Sequence, residues 1–419
     1  MLPESLLYCP PVRGKMKTLY PSHFFLLDCV LFVFTALLPR PARRAFASRY
    51  EKRLSESLFP DYNVREQFDI LYVDNGTSAL VSAFKLIRLA KGERVYLNSN
   101  TCTAVGESIL ASGGEPAFLT TNYEGLTDDS FLPNDVAGRT VVLLTNTYGF
   151  LENVRSLKAR KPCPLIINDL SQANIVSPEF RAVCEESELI VLSFGPEKYV
   201  GGLGGGALLV KKDVPKEIRL ELSILSTSLQ EFMLSAQLKK IVNRLRYIMT
   251  FVTVNTLLYG ILKSVGAAYT LHPSKDIEYV LLLRDSIMPR RISLPDIMSI
   301  TRRIRWYSRR QSEERGKYKL LVRAIEQKNR TIGKESVSPM LILRCTPETR
   351  YAVAKSLASK GFQTTWNYTP LFMSKPFRNF SCQSDNKLWQ SILQVPYRFL
   401  THAQLVDLGN AINYAFKNN

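Results

Sequence analysis

The chain has 419 residues, 46% of them apolar and 22% charged, and a formal net charge of +18. That length accommodates a large domain plus a smaller one, and the composition is that of a folded globular protein. Seven dispersed cysteines without a CxxC pair, and only three histidines, offer no ligand spacing for a structural zinc site and fit reduced thiols in the cytoplasm.

The first predicted element is the apolar run Phe24–Leu38, broken only by Asp28 and followed by Arg40, Arg43 and Arg44. Ala45-Phe46-Ala47 resembles a signal-peptidase site, but arginines separate it from the run, and fifteen residues are short for a bilayer span. The run is read as a helix lying on a membrane surface or packed against the protein. From about 68 to 210, short apolar runs alternate with helical patterns. Ile70–Val73, Arg94–Leu97, Val141–Thr145, Leu165–Asn168 and Leu189–Ser193 read as buried strands, with Ser78–Ala90 and Ala104–Ser112 as helices between them. The alternation predicts an α/β fold, a mostly parallel sheet covered on both faces, with ligands bound beyond the carboxyl ends of its strands. From about 215 to 335 the pattern is helical and includes a second apolar stretch, Tyr247–Leu271. Between Ser286 and Arg323 eleven Lys or Arg stand against three Asp or Glu, and Arg302–Arg310 reads as a solvated helix face or a membrane-facing cluster. The strand Pro339–Arg344 and the helix Ala403–Phe416 predict a small C-terminal α+β domain.

Four segments at predicted strand ends carry chemistry. Asp74-Asn75-Gly76-Thr77-Ser78 opens a helix, whose free amides and dipole make a phosphate cradle, although a capped Asn-Gly turn has the same pattern. Asp169, in Asn168-Asp169-Leu170-Ser171-Gln172, is an acid at the mouth of an apolar sheet. It needs a cationic partner such as a pyridinium nitrogen, unless it is simply a helix cap. Lys198, in Ser193-Phe194-Gly195-Pro196-Glu197-Lys198, sits where desolvation turns an amine into a nucleophile and base, with Ser193 placed to reach a phosphate. A solvated lysine in a turn is the plainer alternative. The glycine run 201–206 is neither a Walker loop nor a dinucleotide fingerprint, and lets backbone pass close to a bound ring.

The ordered set NGTSAL, NDLSQA and SFGPEKYVGGLGGGALLV resembles the DegT/DnrJ/EryC1/StrS group, sugar aminotransferases among the fold-type-I pyridoxal-phosphate (PLP) enzymes. The resemblance runs from about Tyr50 to the C-terminus and is densest between 72 and 210. It implies an aspartate-aminotransferase-like large domain, with Gly76, Thr77 and Ser193 on the phosphate, Asp169 on the ring nitrogen and Gln172 near the ring hydroxyl. Lys198 would carry the cofactor as a Schiff base and then shuttle the proton. The chain departs from the family pattern in two places. Cys102 stands where an aromatic ring usually stacks on the cofactor. Met288-Pro289-Arg290-Arg291-Ile292-Ser293 replaces a tyrosine-asparagine-arginine segment that reaches the neighbouring subunit's phosphate, so Arg290 or Arg291 would make that contact in a homodimer.

The resulting expectation is transamination of a nucleotide-linked keto sugar with an amino-acid donor, in the biosynthesis of a cell-surface polysaccharide or related glycan. The net charge suits a diphosphate-bearing substrate. A PLP-dependent sugar dehydratase ranks lower, because the similar dehydratases replace the lysine with histidine. A non-catalytic PLP-fold regulator or membrane scaffold is the rival from another class. Nucleic acid is a weaker partner still, since no binding module accompanies the basic cluster. The expected organisation is an apolar N-terminal helix and arm (1–45), a PLP-binding large domain (46–212), a helical insertion (213–288), and a connecting helix with the small domain (289–419).

Overall fold

A computed structural model describes residues 25–58, 64–121, 126–127, 132, 139–195, 198–202, 204–229, 238, 241–242, 289–326, 331–332, 340–366, 368–380 and 388–418. The stretch Tyr247–Leu271, most of the expected insertion, and Pro196, Glu197, Leu203 and Met288 lie outside the described residues.

The N-terminal apolar run forms helix α1 (Phe25–Leu37), and α2 (Arg40–Leu58) follows directly. Next come β1 (Phe68–Val73), α3 (Gly76–Leu86), β2 (Arg94–Asn98), α4 (Thr103–Ala111), β3 (Glu115–Leu119) and β4 (Val141–Leu144). They are followed by α5 (Val154–Lys158), β5 (Leu165–Asp169), α6 (Pro178–Glu186), β6 (Leu189–Ser193), β7 (Gly206–Lys211) and α7 (Lys216–Ser228). Beyond the undescribed stretch lie α8 (Leu294–Arg309), α9 (Gln311–Ala324), β8 (Thr331–Ile332), β9 (Leu341–Arg344), α10 (Pro347–Ser359), β10 (Ile392–Val395) and α11 (His402–Lys417).

The large sheet has seven strands in the order β1-β7-β6-β5-β4-β2-β3. Only β7 runs against its neighbours β1 and β6; the remaining pairs are parallel. Both faces are covered, so alternate residues of one strand enter different cores, and the strands read as unbroken apolar runs. Val73, Leu97, Leu143, Val191 and Leu208 pack with α3, α4 and α7. Tyr72, Ile190, Leu192 and Leu209 pack with α2, α6 and α8. Farther along the sheet, Val142, Leu144 and Ile166 pack with α5. Two strands of this sheet were not legible in the sequence. β3 is an edge strand paired only with β2 and contains Pro116, which such an edge tolerates. β7 begins inside the glycine run, which disguises its start.

The smaller sheet, β10-β9-β8, is antiparallel. Its core joins Leu343 and Leu393 to Val353 and Leu357 of α10, Leu408 and Ile412 of α11, and Tyr318 and Leu321 of α9. α8 packs on the large-domain core through Ile297, Ile300 and Ile304, while α9 packs on the small one, so the segment from 289 links the two. The basic stretch on α8 is not uniformly solvated. Arg303 is buried and paired with Asp28 of α1, which also accepts a hydrogen bond from Ser299. The single charge within α1 therefore fastens that helix to α8. Among the described residues no helix is long and apolar enough to cross a membrane.

Candidate active site

The parallel strands all end at one edge of the large sheet. The loops there hold every residue singled out for cofactor chemistry: Gly76 and Thr77 after β1, Cys102 after β2, Asp169 and Gln172 at β5, Ser193 and Lys198 at β6. The strand register sets Val73, Ser193 and Gly206 side by side, which brings the β1 and β6 loops together.

At the first of these loops, Asn75 caps α3 by accepting a hydrogen bond from the Ser78 amide at 2.8 Å. The helix dipole makes the Gly76–Thr77 end electropositive. Any side chain at Gly76 would place its Cβ 2.7 Å from Ser193 Cβ, 2.9 Å from Ser193 Oγ and 3.5 Å from Ser171 Oγ. Two hydroxyls therefore converge on the amino end of α3, and only glycine leaves the space between them open. The backbone of Asn75 presses on Gly206 from the other side, where a Cβ would overlap the Asn75 carbonyl. That contact accounts for part of the glycine run.

Asp169 is buried, and its Oδ1 accepts from the Ser171 amide at 2.9 Å. Burial pushes its carboxyl up from the usual value, against the opposing pull of the Ser171 hydrogen bonds and the Lys198 charge. The loop beneath it is held by side-chain hydrogen bonds. Asn146, held in the left-handed region at φ 43°, donates to Asn168 Oδ1 and to the Asp169 carbonyl, and accepts from the Glu152 amide. Asn168 donates in turn to Ser187 Oγ at 2.8 Å.

The β6 loop is tied to itself: the Lys198 amide donates to the Gly195 carbonyl at 3.0 Å, and the Gly195 amide to Ser193 Oγ at 3.4 Å. Behind Lys198 stands Arg398 of the small domain. Its Nη1 donates to the Tyr199 carbonyl at 3.0 Å, its Cζ lies 3.6 Å from the Tyr199 ring centroid, and its Nε donates to the buried Glu314 at 2.9 Å. Burial pulls the Arg398 guanidinium down, but Tyr199, Tyr307 and Glu314 outweigh it and hold the charge in place.

Gln172 donates through Nε2 to Tyr368 Oη, and the Tyr368 ring stacks against Tyr148 with centroids 6.4 Å apart. The loop carrying Tyr368 reaches the end of β2, where its carbonyl accepts from Asn100 Nδ2 at 3.3 Å and the Leu371 amide donates to the Ser99 carbonyl at 2.9 Å. Cys102 sits half-buried at the N-cap of α4 and packs on the large-domain core. The backbone of Arg290–Ile292 lies along β1 beside this site, with the Arg290 carbonyl accepting from the Asp74 amide at 3.0 Å.

Ser171 stands between Asp169 and the Gly76–Ser193 cradle, and Lys198 joins the set through Gly195 and through its charge on Asp169, with Thr77 next in chain. Sequence reasoning gave no role to Ser171, Asn146, Tyr368 or Arg398. Ser171 had a local signal, the Asp-x-Ser turn. Asn146 leaves little local trace, Tyr368 arrives from the small domain with no mark nearby, and Arg398 lies in the LQVPYRF turn, which resembles the family's closing turn without giving Arg398 a role. The donor set fits PLP: an electropositive helix end with two hydroxyls for a phosphate, a buried carboxyl for a ring nitrogen, and an amine for covalent attachment. Among the described residues no group of three or more His, Cys, Asp or Glu could hold a metal ion.

Residues 53–236 match the profile of the DegT/DnrJ/EryC1/StrS aminotransferase family. A UDP-N-acetyl-3-dehydro-α-D-glucosamine 3-aminotransferase of Acidithiobacillus ferrooxidans is 26% identical over 156 residues, covering 35% of this chain and 41% of that protein. A dTDP-3-amino-3,4,6-trideoxy-α-D-glucose transaminase of Micromonospora megalomicea is 27% identical over 145 residues, covering 34% and 39%. The match thus spans about two fifths of each relative's length. Among solved structures, NtdA of Bacillus subtilis with bound cofactor PMP has a similar fold, with TM-score 0.66 at 15% identity over 98% of this chain and 88% of that one. The fold is that of the PLP-dependent transferases, a large domain with a mostly parallel sheet and a smaller C-terminal α+β domain.

Proposed function

We propose, from the match of residues 53–236 to the DegT/DnrJ/EryC1/StrS aminotransferase family, that the chain is a PLP-dependent aminotransferase converting a nucleotide-linked keto sugar to the amino sugar. An amino acid is the donor. The observation that carries this reading is the connected set at the sheet edge, where Ser171 joins the buried Asp169 carboxyl to the Gly76–Ser193 cradle and Asp169 feels the Lys198 charge.

When bound, PLP supplies an electron sink that stabilises negative charge at the substrate carbon bearing nitrogen. The protein does the rest. The α3 amino end, with Ser193 and Ser171 Oγ, anchors the phosphate. Asp169 holds a proton on the ring nitrogen, because a cation there relieves the cost of its own burial. Lys198 Nζ would hold the cofactor covalently and would move the proton at the substrate carbon, as acceptor and then donor. Gln172, steered by Tyr368, orients the ring hydroxyl. Arg398 is a positioning residue that fixes the Lys198–Tyr199 backbone from behind.

The sugar class is supported by the names of the two curated relatives, both nucleotide-sugar aminotransferases. The net charge of +18 suits a diphosphate. We further propose that the enzyme is a cytoplasmic homodimer, with Arg290 or Arg291 reaching the partner's phosphate, and that it contacts a membrane surface. The test is a half-reaction: the pyridoxamine-phosphate-loaded protein is mixed with nucleotide-linked keto sugars and the products are weighed. Amination of the ketone, with pyridoxamine phosphate converted to PLP, is the expected result. Loss of water from the sugar would make the protein a dehydratase instead, and no turnover with any keto sugar would contradict the substrate class.

A further inference from the structure

Outside the strand-end site, α1, α2 and α8 enclose a cleft of about 630 Å³. Arg53, Arg302, Arg305, Arg309 and Arg310 line it together with Trp306, and no acidic residue is among its described walls. Arg310 lies over the Trp306 ring and pairs with Glu313, whereas Arg302 and Arg309 have no acidic partner among the described residues. The concentration of cation in one concave site is the chemistry of a phosphate receptor.

The helix at its rim has an unusual outer face. Val30, Val33, Phe34 and Leu37 fall at i, i+3, i+4 and i+7, and are 56%, 55%, 44% and 79% exposed. The opposite face of α1 is fixed by the buried Asp28–Arg303 pair, so this apolar strip is presented to solvent by a fastened helix. Leu31 of the same helix forms part of the cleft wall, which makes strip and cleft neighbours. Arg40, Arg43, Arg44 and Arg49 follow along α2. An apolar stripe bordered by arginines matches the boundary of an anionic bilayer, with phosphates at one level and acyl chains just below.

We infer that this cleft is a docking site for an anionic phospholipid surface, taking lipid phosphates among Arg302, Arg305 and Arg309 while the outer face of α1 enters the acyl boundary. The inference rests on the membrane contact proposed above and assigns where it occurs.

Flotation of the full-length protein with phosphatidylcholine vesicles, with and without phosphatidylglycerol, tests it. Binding is expected only to the anionic vesicles and weakens as salt is raised. Each arginine near the surface contributes roughly fivefold to partitioning, so Arg302→Gln with Arg309→Gln reduces it about 25-fold. Val33→Ser with Leu37→Ser also weakens binding. All four positions are on the surface, so thermal melts should match wild type. Unchanged vesicle binding in both double variants would overturn the cleft assignment while leaving membrane contact standing. No binding of wild type to anionic vesicles would overturn both, and if inorganic diphosphate still bound Arg302 and Arg309 the cleft would be a soluble-anion site. A fall in oligomeric state caused by the α1 substitutions would make the strip a subunit interface and also overturn docking.

Discussion

At Asp169 the buried carboxyl is raised by desolvation, and Ser171 and Lys198 only partly offset that rise. The native state therefore binds its proton more tightly than the unfolded chain does. Stability attributable to this group is present below the ordinary carboxyl value of about 3.9 and is lost as pH rises through the raised native value. Cofactor-free Asp169→Asn should thus melt higher than wild type at neutral pH, with the difference vanishing near pH 4, yet it should bind PLP poorly. A melting difference independent of pH would show that the carboxyl is not the cause. Gly76 argues from space alone. Gly76→Ala drives a methyl into Ser193, so about 1–3 kcal/mol of stability should be lost. PLP affinity should fall about 10- to 100-fold, the worth of one or two charge-assisted hydrogen bonds. Equilibrium dialysis with PLP measures the second effect. An affinity equal to wild type would remove Gly76 and Ser193 from the phosphate site.

Arg398 and Glu314 work at the level of elements, because they tie the start of α9 and the turn after β10 to the β6 loop. Both are almost wholly buried, at 5% and 3% exposure. Removing one charge strands the other, so Arg398→Met should cost about 3–5 kcal/mol and Arg398→Met with Glu314→Leu considerably less. Both variants lose the clamp on the Tyr199 carbonyl, and kcat should fall more than substrate KM changes. Equal stability for the single and double variants, measured by denaturant titration, would show that the pair is not coupled. The same elements explain which parts of the fold were legible. Buried parallel strands such as Val141–Leu144 and Leu189–Ser193 declare themselves as apolar runs between helices. β3 does not, because Pro116 and an edge position weaken its pattern. α1 was recognised as a helix, but its docking by Asp28 was not, since the partner Arg303 is more than two hundred residues away and lies within a basic run that reads as solvated.

For the molecule as a whole, the site is legible where one loop carries a complete device and obscure where two domains share it. The three segments at the ends of β1, β5 and β6 each hold their own proposed cofactor groups, so Gly76, Asp169, Ser193 and Lys198 could be read from sequence. Tyr368 and Arg398 come from the small domain, and only the closed fold brings them to Gln172 and Tyr199. The net charge of +18 has a physical location in part, since five of the arginines line one cleft. The central claim is that Lys198 holds PLP in this set. It is tested most directly by the visible spectrum of the purified protein with PLP, before and after borohydride, in wild type and Lys198→Ala. The account predicts an absorbance band that borohydride fixes covalently to the peptide containing Lys198, absent from the variant, whose turnover falls about 10²- to 10⁴-fold. A wild-type protein with no such band, or a band unchanged in Lys198→Ala, would contradict it.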